Sequence, residues 1–337
     1  MCEYSATEGV PTDWHLVHLG SRAVGGAALV IAEATAVEPI GRISPGCTGI
    51  YTDEQVEVWS RIVRFIHEQG SVAGIQIAHA GRKASANIPW AGPGVVAQSK
   101  GGWQTVGPSD IPFNENDPKP HALTVQEISQ TVQKFKEAAK RAHQAGFKVL
   151  ELHAAHGYLL NQFLSPLINQ RTDQYGGSFE NRIRFLREVV AEIKTVWPNE
   201  LPFFVRISAT DWTEKNEQSW GLDESVELSK VLRADGVDLI DVSTGGVVAH
   251  AHIPVAPGFQ VSFAREIKKR AEIATSAVGL ITEPKQAEEI VASNSADMVM
   301  LARELLRDPY WPRRAAKELG VPFSENIPVP KQYLRSW

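Results

Sequence analysis

The stretch TDEQVEVWSRIVRFIHEQGSVAGIQIAH, residues 52–79, decides the fold. Thr52 followed three residues later by Gln55 is a capping box, the reciprocal pairing of side chain and backbone that starts a helix. Val56, Trp59, Val63 and Ile66 recur at helical spacing, and Gly70 stops the run. The residues that follow, Val72-Ala73-Gly74-Ile75-Gln76-Ile77-Ala78-His79, are apolar without alternation, the pattern of a strand covered on both faces. The same grammar returns at Thr124-Val125-Gln126-Glu127. There Ile128, Val132, Phe135, Ala139 and Ala142 share one helical face, Gly146 is the stop, and the strand delivered is Val149-Leu150-Glu151-Leu152-His153.

Working outward, strands are expected at 28–34, 72–79, 149–153, 203–208, 238–243, 273–277 and 298–302. Helices are expected at 53–69, 125–145, 179–196, 223–235, 262–271, 284–293 and 308–319, with one more at 14–24 ahead of the first strand. Apolar strands separated by helices imply a parallel sheet covered by helices. Seven strands against eight helices make a βα repeat short of its first strand, whose last residues would be Met1 and Cys2. The expected fold is α/β, a (β/α)8 TIM barrel with the first strand largely missing, forming one domain over residues 1–337. The stretch 82–121, rich in Gly and Pro and carrying Trp90, Trp103 and Phe113, reads either as a cover over the barrel mouth or as a surface excursion packed by its own aromatics.

Composition sets outer bounds. With 337 residues, 43% hydrophobic, 22% charged and a net charge of −5, the chain has a soluble globular profile, and its mild acidity argues against a nucleic-acid surface. Apolar runs such as Ala27–Ala32 fall far short of the ~18 residues a membrane helix needs. Met-Cys-Glu-Tyr-Ser-Ala-Thr-Glu has neither a basic nor an apolar signal region, and Cys2 and Cys47 are the only cysteines, which gives no disulfide framework and fits a reducing compartment. A cytoplasmic location is expected.

In such barrels functional groups lie at the C-terminal ends of strands and in the loops that follow. Those positions hold Cys2, Ala34, Gln76 with His79, His153 with His156 and Tyr158, Arg206, Ser243 with Gly245 and Gly246, Gly279, and Arg303. The histidines of His153-Ala-Ala-His156-Gly-Tyr158 could ligate a metal, but the neighbouring strand ends supply Gln and Arg rather than a third ligand, so no metal is expected. Neutral imidazoles can instead donate two hydrogen bonds to one carbonyl or phenolate oxygen while Tyr158 supplies a proton. Alternatively the pair are satisfied core histidines. Arg206 ends an apolar strand and needs an anion, either a barrel carboxylate such as Glu33 or Glu151 or an anionic ligand. Gly279 and Arg303 close the last two strands, where these barrels frequently bind phosphate through backbone N–H groups and a cation. Cys2 and Cys47 are by default small hydrophobes, with Cys2 at the barrel mouth.

Taken together the motifs resemble the Old Yellow Enzyme family, in particular its thermophilic-like class of ene-reductases. The resemblance covers the whole chain: Met1-Cys2-Glu3-Tyr4, Glu33-Ala34-Thr35-Ala36, Gly74 through Lys83, Glu151 through Leu159, Gln162 through Pro166, Arg171 through Ser178, and Arg303 through Pro309. It implies a barrel that binds FMN noncovalently and uses NADPH or NADH to reduce activated C=C bonds of enones and enals. Gln76 would meet the flavin pyrimidine edge, Arg206 would offset negative charge near flavin N1, and Ala34 would pack near the rings. Arg303, with the backbone near Gly279 and Ala302, would hold the phosphate.

By the same resemblance, His153 and His156 would bind the acceptor's carbonyl oxygen and, in the other half-reaction, the nicotinamide carboxamide. Tyr158 would protonate the α-carbon, Cys2 would adjust the flavin potential, and Tyr4 would line the substrate pocket. The tail 321–337, ending Gln332-Tyr333-Leu334-Arg335-Ser336-Trp337, resembles one whose arginine reaches a neighbouring subunit, which implies a homodimer or homotetramer with Arg335 at the partner's site. Two departures stand out: the family usually has Gly where Ala302 stands, and its N-terminal hairpin and first barrel strand have no counterpart here. The second departure leaves a weakly flavin-binding or inactive barrel as the alternative. A flavin-free aldolase or isomerase would need a Schiff-base Lys or a carboxylate base at a strand end, and none is found there.

Overall fold

The seven apolar runs become seven strands of one parallel sheet. They are β1 (Leu29–Ala36), β2 (Val72–Ala78), β5 (Val149–Ala154), β6 (Phe203–Ser208), β7 (Leu239–Ser243), β8 (Ala274–Ala277) and β9 (Met298–Val299), paired in that order. A two-residue ribbon, β3 (Val106–Gly107) with β4 (His121–Ala122), lies apart. The computed structural model describes residues 1–213, 218–322 and 329–335. Helices cover the outer face of the curled sheet, a half-barrel of the α/β TIM type as expected.

Local chemistry starts these helices where the sequence indicates. In α2 (Asp53–Glu68), Thr52 Oγ1 accepts from the Gln55 N–H at 3.3 Å while Gln55 Oε1 accepts from the Thr52 N–H at 3.1 Å. In α3 (Val125–Gln144), Thr124 and Glu127 repeat the device. The apolar faces of these helices pack on the outside of the sheet, with Trp59, Ile62, Ile66, Ile128 and Phe135 all buried.

The inner face is built in layers, because alternate strand residues point to the same side. At the bottom Val149, Phe204 and Leu239 form a small apolar cluster with Leu29, Ala274, Met298 and Met300 packed on it. Two residues further along the strands the lining turns polar: Glu151, Arg206, Asp241 and Ser276, joined by Gln76, which pairs with Glu151 in the β2–β5 register. Two residues further still come His153, Ser208 and Ser243. The register therefore delivers a polar lining and then the strand-end groups to one mouth.

One expectation is corrected, and two short helices are added. Met1–Ala6 form no strand: the Glu3 N–H donates to Glu33 Oε2 at 2.7 Å, the Ala6 N–H donates to the Gly46 carbonyl at 2.9 Å, and Tyr4 has φ +50°, so neither the bonds nor the backbone continue a β-ladder. The helix expected at 308–319 forms as Trp311–Glu318, and a separate short helix, Arg303–Arg307, precedes it on the other side of Pro309. A further helix, α4 (Leu159–Leu164), has all six residues buried and hence no polar face to announce it. No helix among the described residues is long and apolar enough to cross a membrane.

Candidate active site

The turn after β5 carries the first chemical group. His156 and Gly157 both have left-handed backbones, φ +58° and +73°. A Cβ on Gly157 would sit 2.1 Å from the Gly246 carbonyl oxygen, so only glycine allows the turn to press against the loop after β7. The turn is pinned by the His156 N–H to Ser208 Oγ (2.9 Å), by Ser208 Oγ to the Gly245 carbonyl (2.8 Å), and by the Gly157 N–H to Asn161 Oδ1 (2.8 Å).

The imidazoles are thereby fixed edge to face, 5.1 Å apart at 89°. His153 Nδ1 accepts the Ala155 N–H at 3.3 Å, which leaves its proton on Nε2, facing His156 Nδ1 at 3.4 Å. His156 Nε2 then donates to Ser243 Oγ at 2.7 Å, and Ser243 donates to Gln260 Oε1 at 3.2 Å. Burial, reinforced by the positive charges of Arg206 and Lys83, holds both histidines well below their ordinary pKa, so both rings are neutral at pH 7. For both rings to donate to one ligand oxygen, His153 must turn its Nε2–H away from His156 Nδ1 and His156 must exchange its Ser243 contact for the ligand.

Tyr158 stands beside them, its ring 5.0 Å from that of His153 at 86°. Burial raises its phenol well above the usual range, so the proton stays on it. Lys83 lies on the other side: its Nζ donates to the carbonyls of His156 (2.8 Å) and Gly246 (3.0 Å), 4.4 Å from the Phe113 ring centroid and 5.3 Å from that of Tyr158. Desolvation with the neighbouring Arg82 lowers Lys83 to about 8. Trp90 of the 82–121 stretch meets Tyr4 edge-on at 6.1 Å, and Arg82 donates to the carbonyls of Ile111, Pro112 and Val247. Cys2 and Tyr4 reach the same neighbourhood, for both contribute to the electrostatic environment of the Tyr158 phenol.

Below the mouth, Gln76 Nε2 donates to Glu151 Oε1 at 2.6 Å. That contact fixes the amide, leaving Gln76 Oε1 as the acceptor. Burial and the nearby Asp241 push Glu151 up to about 8, so it is largely protonated at neutral pH. Arg206 Nε lies 3.1 Å from Asp241 Oδ2, its partner across the β6–β7 register, and Ser276 Oγ donates to Asp241 Oδ1 at 2.5 Å. The Arg206 contact lacks hydrogen-bond alignment, and both atoms count as buried polar groups without a hydrogen bond. The rest of the guanidinium has no protein hydrogen bond among the described residues and is open to the mouth, the side chain being 24% exposed.

Gly279 and Ala302 follow adjacent strands, joined where the Met300 N–H donates to the Ala277 carbonyl at 2.9 Å. Gly279 has φ +113°, and a Cβ there would lie 2.8 Å from Gln260 Nε2 and 3.0 Å from the Phe259 ring. Arg303 is exposed and has no ion pair or hydrogen bond among the described residues. These features fit FMN: an unengaged cation beside a glycine turn suits its phosphate, and an acceptor, an open guanidinium and a dry polar wall suit its ring system. Ala34 is buried on β1. Arg335 is exposed at the end of the described tail, is not brought to this mouth, and is followed by Ser336 and Trp337 outside the described residues, as are 323–328.

Three contributors escape the sequence reading. Asp241, not Glu33 or Glu151, is the Arg206 partner, a consequence of strand register; the polar Asp in an apolar strand was the available signal. Gln260 enters through the His156 relay, as the acceptor for Ser243, which the sequence does place at a strand end. Lys83 lies within a recognised motif but reveals its place only when Phe113 and Tyr158 fold onto it.

Comparison with known proteins agrees with this geometry. Residues 1–321 match the profile of the NADH:flavin oxidoreductase / NADH oxidase family. The NADPH dehydrogenase of Bacillus subtilis (strain 168) is 47% identical over 341 residues, covering 100% of this chain and 93% of the relative. That of Listeria monocytogenes serotype 4a (strain HCC23) is 49% identical over 339 residues, with the same coverage. Among solved structures, morphinone reductase in complex with tetrahydroNAD superposes with a TM-score of 0.75 at 28% identity, over 96% of this chain and 85% of that one. A 2-naphthoyl-CoA reductase complex gives 0.84 at 26% identity over 94% of this chain, which spans about half (49%) of that larger protein. The chain is an FMN-dependent oxidoreductase using a reduced nicotinamide, and it belongs to the NADH:flavin oxidoreductase / NADH oxidase family, that of Old Yellow Enzyme.

Proposed function

We propose that the chain reduces activated C=C bonds of α,β-unsaturated carbonyl compounds, with NADPH or NADH as reductant, and that Tyr158 is the proton donor. The observation that carries this reading is the convergence at one mouth of two neutral imidazoles and a phenol that keeps its proton. FMN, when bound, supplies hydride chemistry at N5. The protein's part is to bind, orient and protonate. His153 Nε2–H and His156 Nε2–H hold the carbonyl oxygen, His153 giving up His156 Nδ1 and His156 giving up Ser243, and because both are neutral they donate without surrendering a proton to the oxygen. Charge that develops on that oxygen lies in the field of Lys83 and Arg206. Tyr158 Oη passes its proton to the α-carbon and regains one from solvent.

Gln76, its amide set by Glu151, and Arg206 would hold the flavin ring, with Ala34 and Cys2 packing beside it; Gly279, Ala302 and Arg303 would hold the phosphate. Tyr4, with Trp90 against it, would line the substrate side, and the stretch 82–121 would cover the mouth. Arg335 would serve a neighbouring subunit of a homodimer or homotetramer, and the enzyme would work in the cytoplasm. Turnover of 2-cyclohexen-1-one with NADPH carrying deuterium at C4 tests the reaction. Saturated ketone with deuterium at the β-carbon is expected; recovery of allylic alcohol, or of no reduced product while NADPH is still consumed, would refute it.

A further inference from the structure

Both cysteines of the chain meet at one place, although 45 positions separate residues 2 and 47 in the sequence. The N-terminal segment is pressed against the loop that carries Cys47: the Ala6 N–H donates to the Gly46 carbonyl at 2.9 Å, and the Tyr4 carbonyl oxygen lies 2.5 Å from where a Cβ on Gly46 would stand. This contact brings Cys2 beside Cys47, close enough that each thiol acts on the ionisation of the other. Cys47 is held in place by its N–H to the Ser44 carbonyl (3.1 Å) and by Ser44 Oγ, 3.6 Å from its Sγ. Both thiols are free. Cys2 is half-buried and reachable from solvent, whereas Cys47 is 1% exposed and can react only through Cys2.

We propose that Cys2 and Cys47 form an oxidation site, which a peroxide closes to an intrachain disulfide that ties the N-terminal segment, with Tyr4, to the 44–47 loop at the active-site mouth. In the first step the proton of Cys2 passes to Cys47 and the Cys2 thiolate attacks hydrogen peroxide: the O–O bond breaks, an S–O bond forms, Cys2 becomes a sulfenic acid, and the departing hydroxide takes the proton back from Cys47 and leaves as water. In the second the Cys47 thiolate attacks the Cys2 sulfur, the S–S bond forms, the S–O bond breaks, and a second water leaves. Overall two thiols lose two electrons and two protons, and one peroxide becomes two waters. Cys2 and the Ser44 hydrogen bonds bring Cys47 down to about 7, while Cys47 and burial push the Cys2 thiol up, so at neutral pH the pair's remaining proton rests on Cys2 and Cys47 supplies the thiolate for the second step. Small thiols reverse the reaction by exchange.

The full-length protein is treated with one equivalent of hydrogen peroxide, its thiols are counted under denaturing conditions, and its intact mass is measured without reductant. The expected result is loss of both thiols, a monomer lighter by about 2 Da, and recovery of both with dithiothreitol. Cys47→Ser, checked for native circular dichroism, should instead accumulate oxygen on Cys2, about 16 to 32 Da heavier. If the wild type behaves as that variant should, with Cys47 left free, or forms disulfide-linked dimers, the proposal is overturned. The assay uses no flavin or substrate, so it stands apart from the proposed ene-reduction.

Discussion

Tyr158→Phe isolates the proton-transfer step. The phenol is held protonated by burial, and its Oη has no hydrogen-bond partner among the described residues, so replacing it by hydrogen leaves no orphaned donor or acceptor behind. Stability should therefore change by less than about 0.5 kcal/mol. His153 packs on the ring rather than the hydroxyl, at 5.0 Å, so its orientation survives, as does the relay through His156 to Ser243. The loss is then confined to general-acid catalysis, worth about 10²- to 10⁴-fold or roughly 3–5 kcal/mol of barrier. Stopped-flow absorbance near 450 nm, an approximate property of the cofactor, follows each half-reaction alone. Bleaching by NADPH should keep its wild-type rate, while colour return with 2-cyclohexen-1-one should slow by that factor. Equal slowing of both phases, or no slowing of the second, would refute the assignment.

His153→Ala removes one of the two donors at the oxygen site and should weaken binding of a phenolate such as that of 4-hydroxybenzaldehyde by about 10- to 100-fold, read by titrating the flavin spectrum; unchanged affinity would take His153 out of the site. Gly157→Ala puts a Cβ at φ +73° and 2.1 Å from the Gly246 carbonyl oxygen, so urea unfolding should show a loss of about 3 kcal/mol or more, and a loss below about 1 kcal/mol would mean that the two loops are not so closely pressed. Asp211 is buried, accepts from Ser165 Oγ (2.7 Å) and the Trp220 N–H (3.0 Å), and is pushed up to about 6 by burial. Its folded pKa lies above its unfolded value, so the folded chain holds the extra proton between about pH 4 and 6, and this group's stabilising contribution, present at low pH, falls by about 3 kcal/mol as pH rises through that window. Asp211→Asn does not titrate: its stability relative to wild type should improve by about that amount from pH 4 to 7, and a pH-independent difference would contradict the account.

The barrel was legible because its strands are covered on both faces while its helices carry caps and one apolar face; Thr52-Gln55 and Thr124-Glu127 fold as they read. The mouth was legible in part, since strand ends can be counted, and His153, His156 and Tyr158 do converge. What the sequence could not disclose is set by register and by contact between distant segments. Asp241 becomes the neighbour of Arg206 only through strand pairing. Ser243 captures His156 only because Gly157 lets one loop rest on another. Barrel arithmetic asks for a strand ending at Met1 and Cys2, but the Glu33 carboxylate and the Gly46 carbonyl claim backbone N–H groups of this segment, bringing Cys2 beside Cys47.

The most direct test of the central claim is an anaerobic titration of the purified, FMN-loaded chain. NADPH should bleach the flavin absorbance with about one equivalent per flavin, and 2-cyclohexen-1-one added afterwards should restore it fully while forming one equivalent of cyclohexanone. Protein that holds no flavin, or flavin that bleaches but regains colour only with oxygen, would contradict the claim that this mouth reduces activated alkenes.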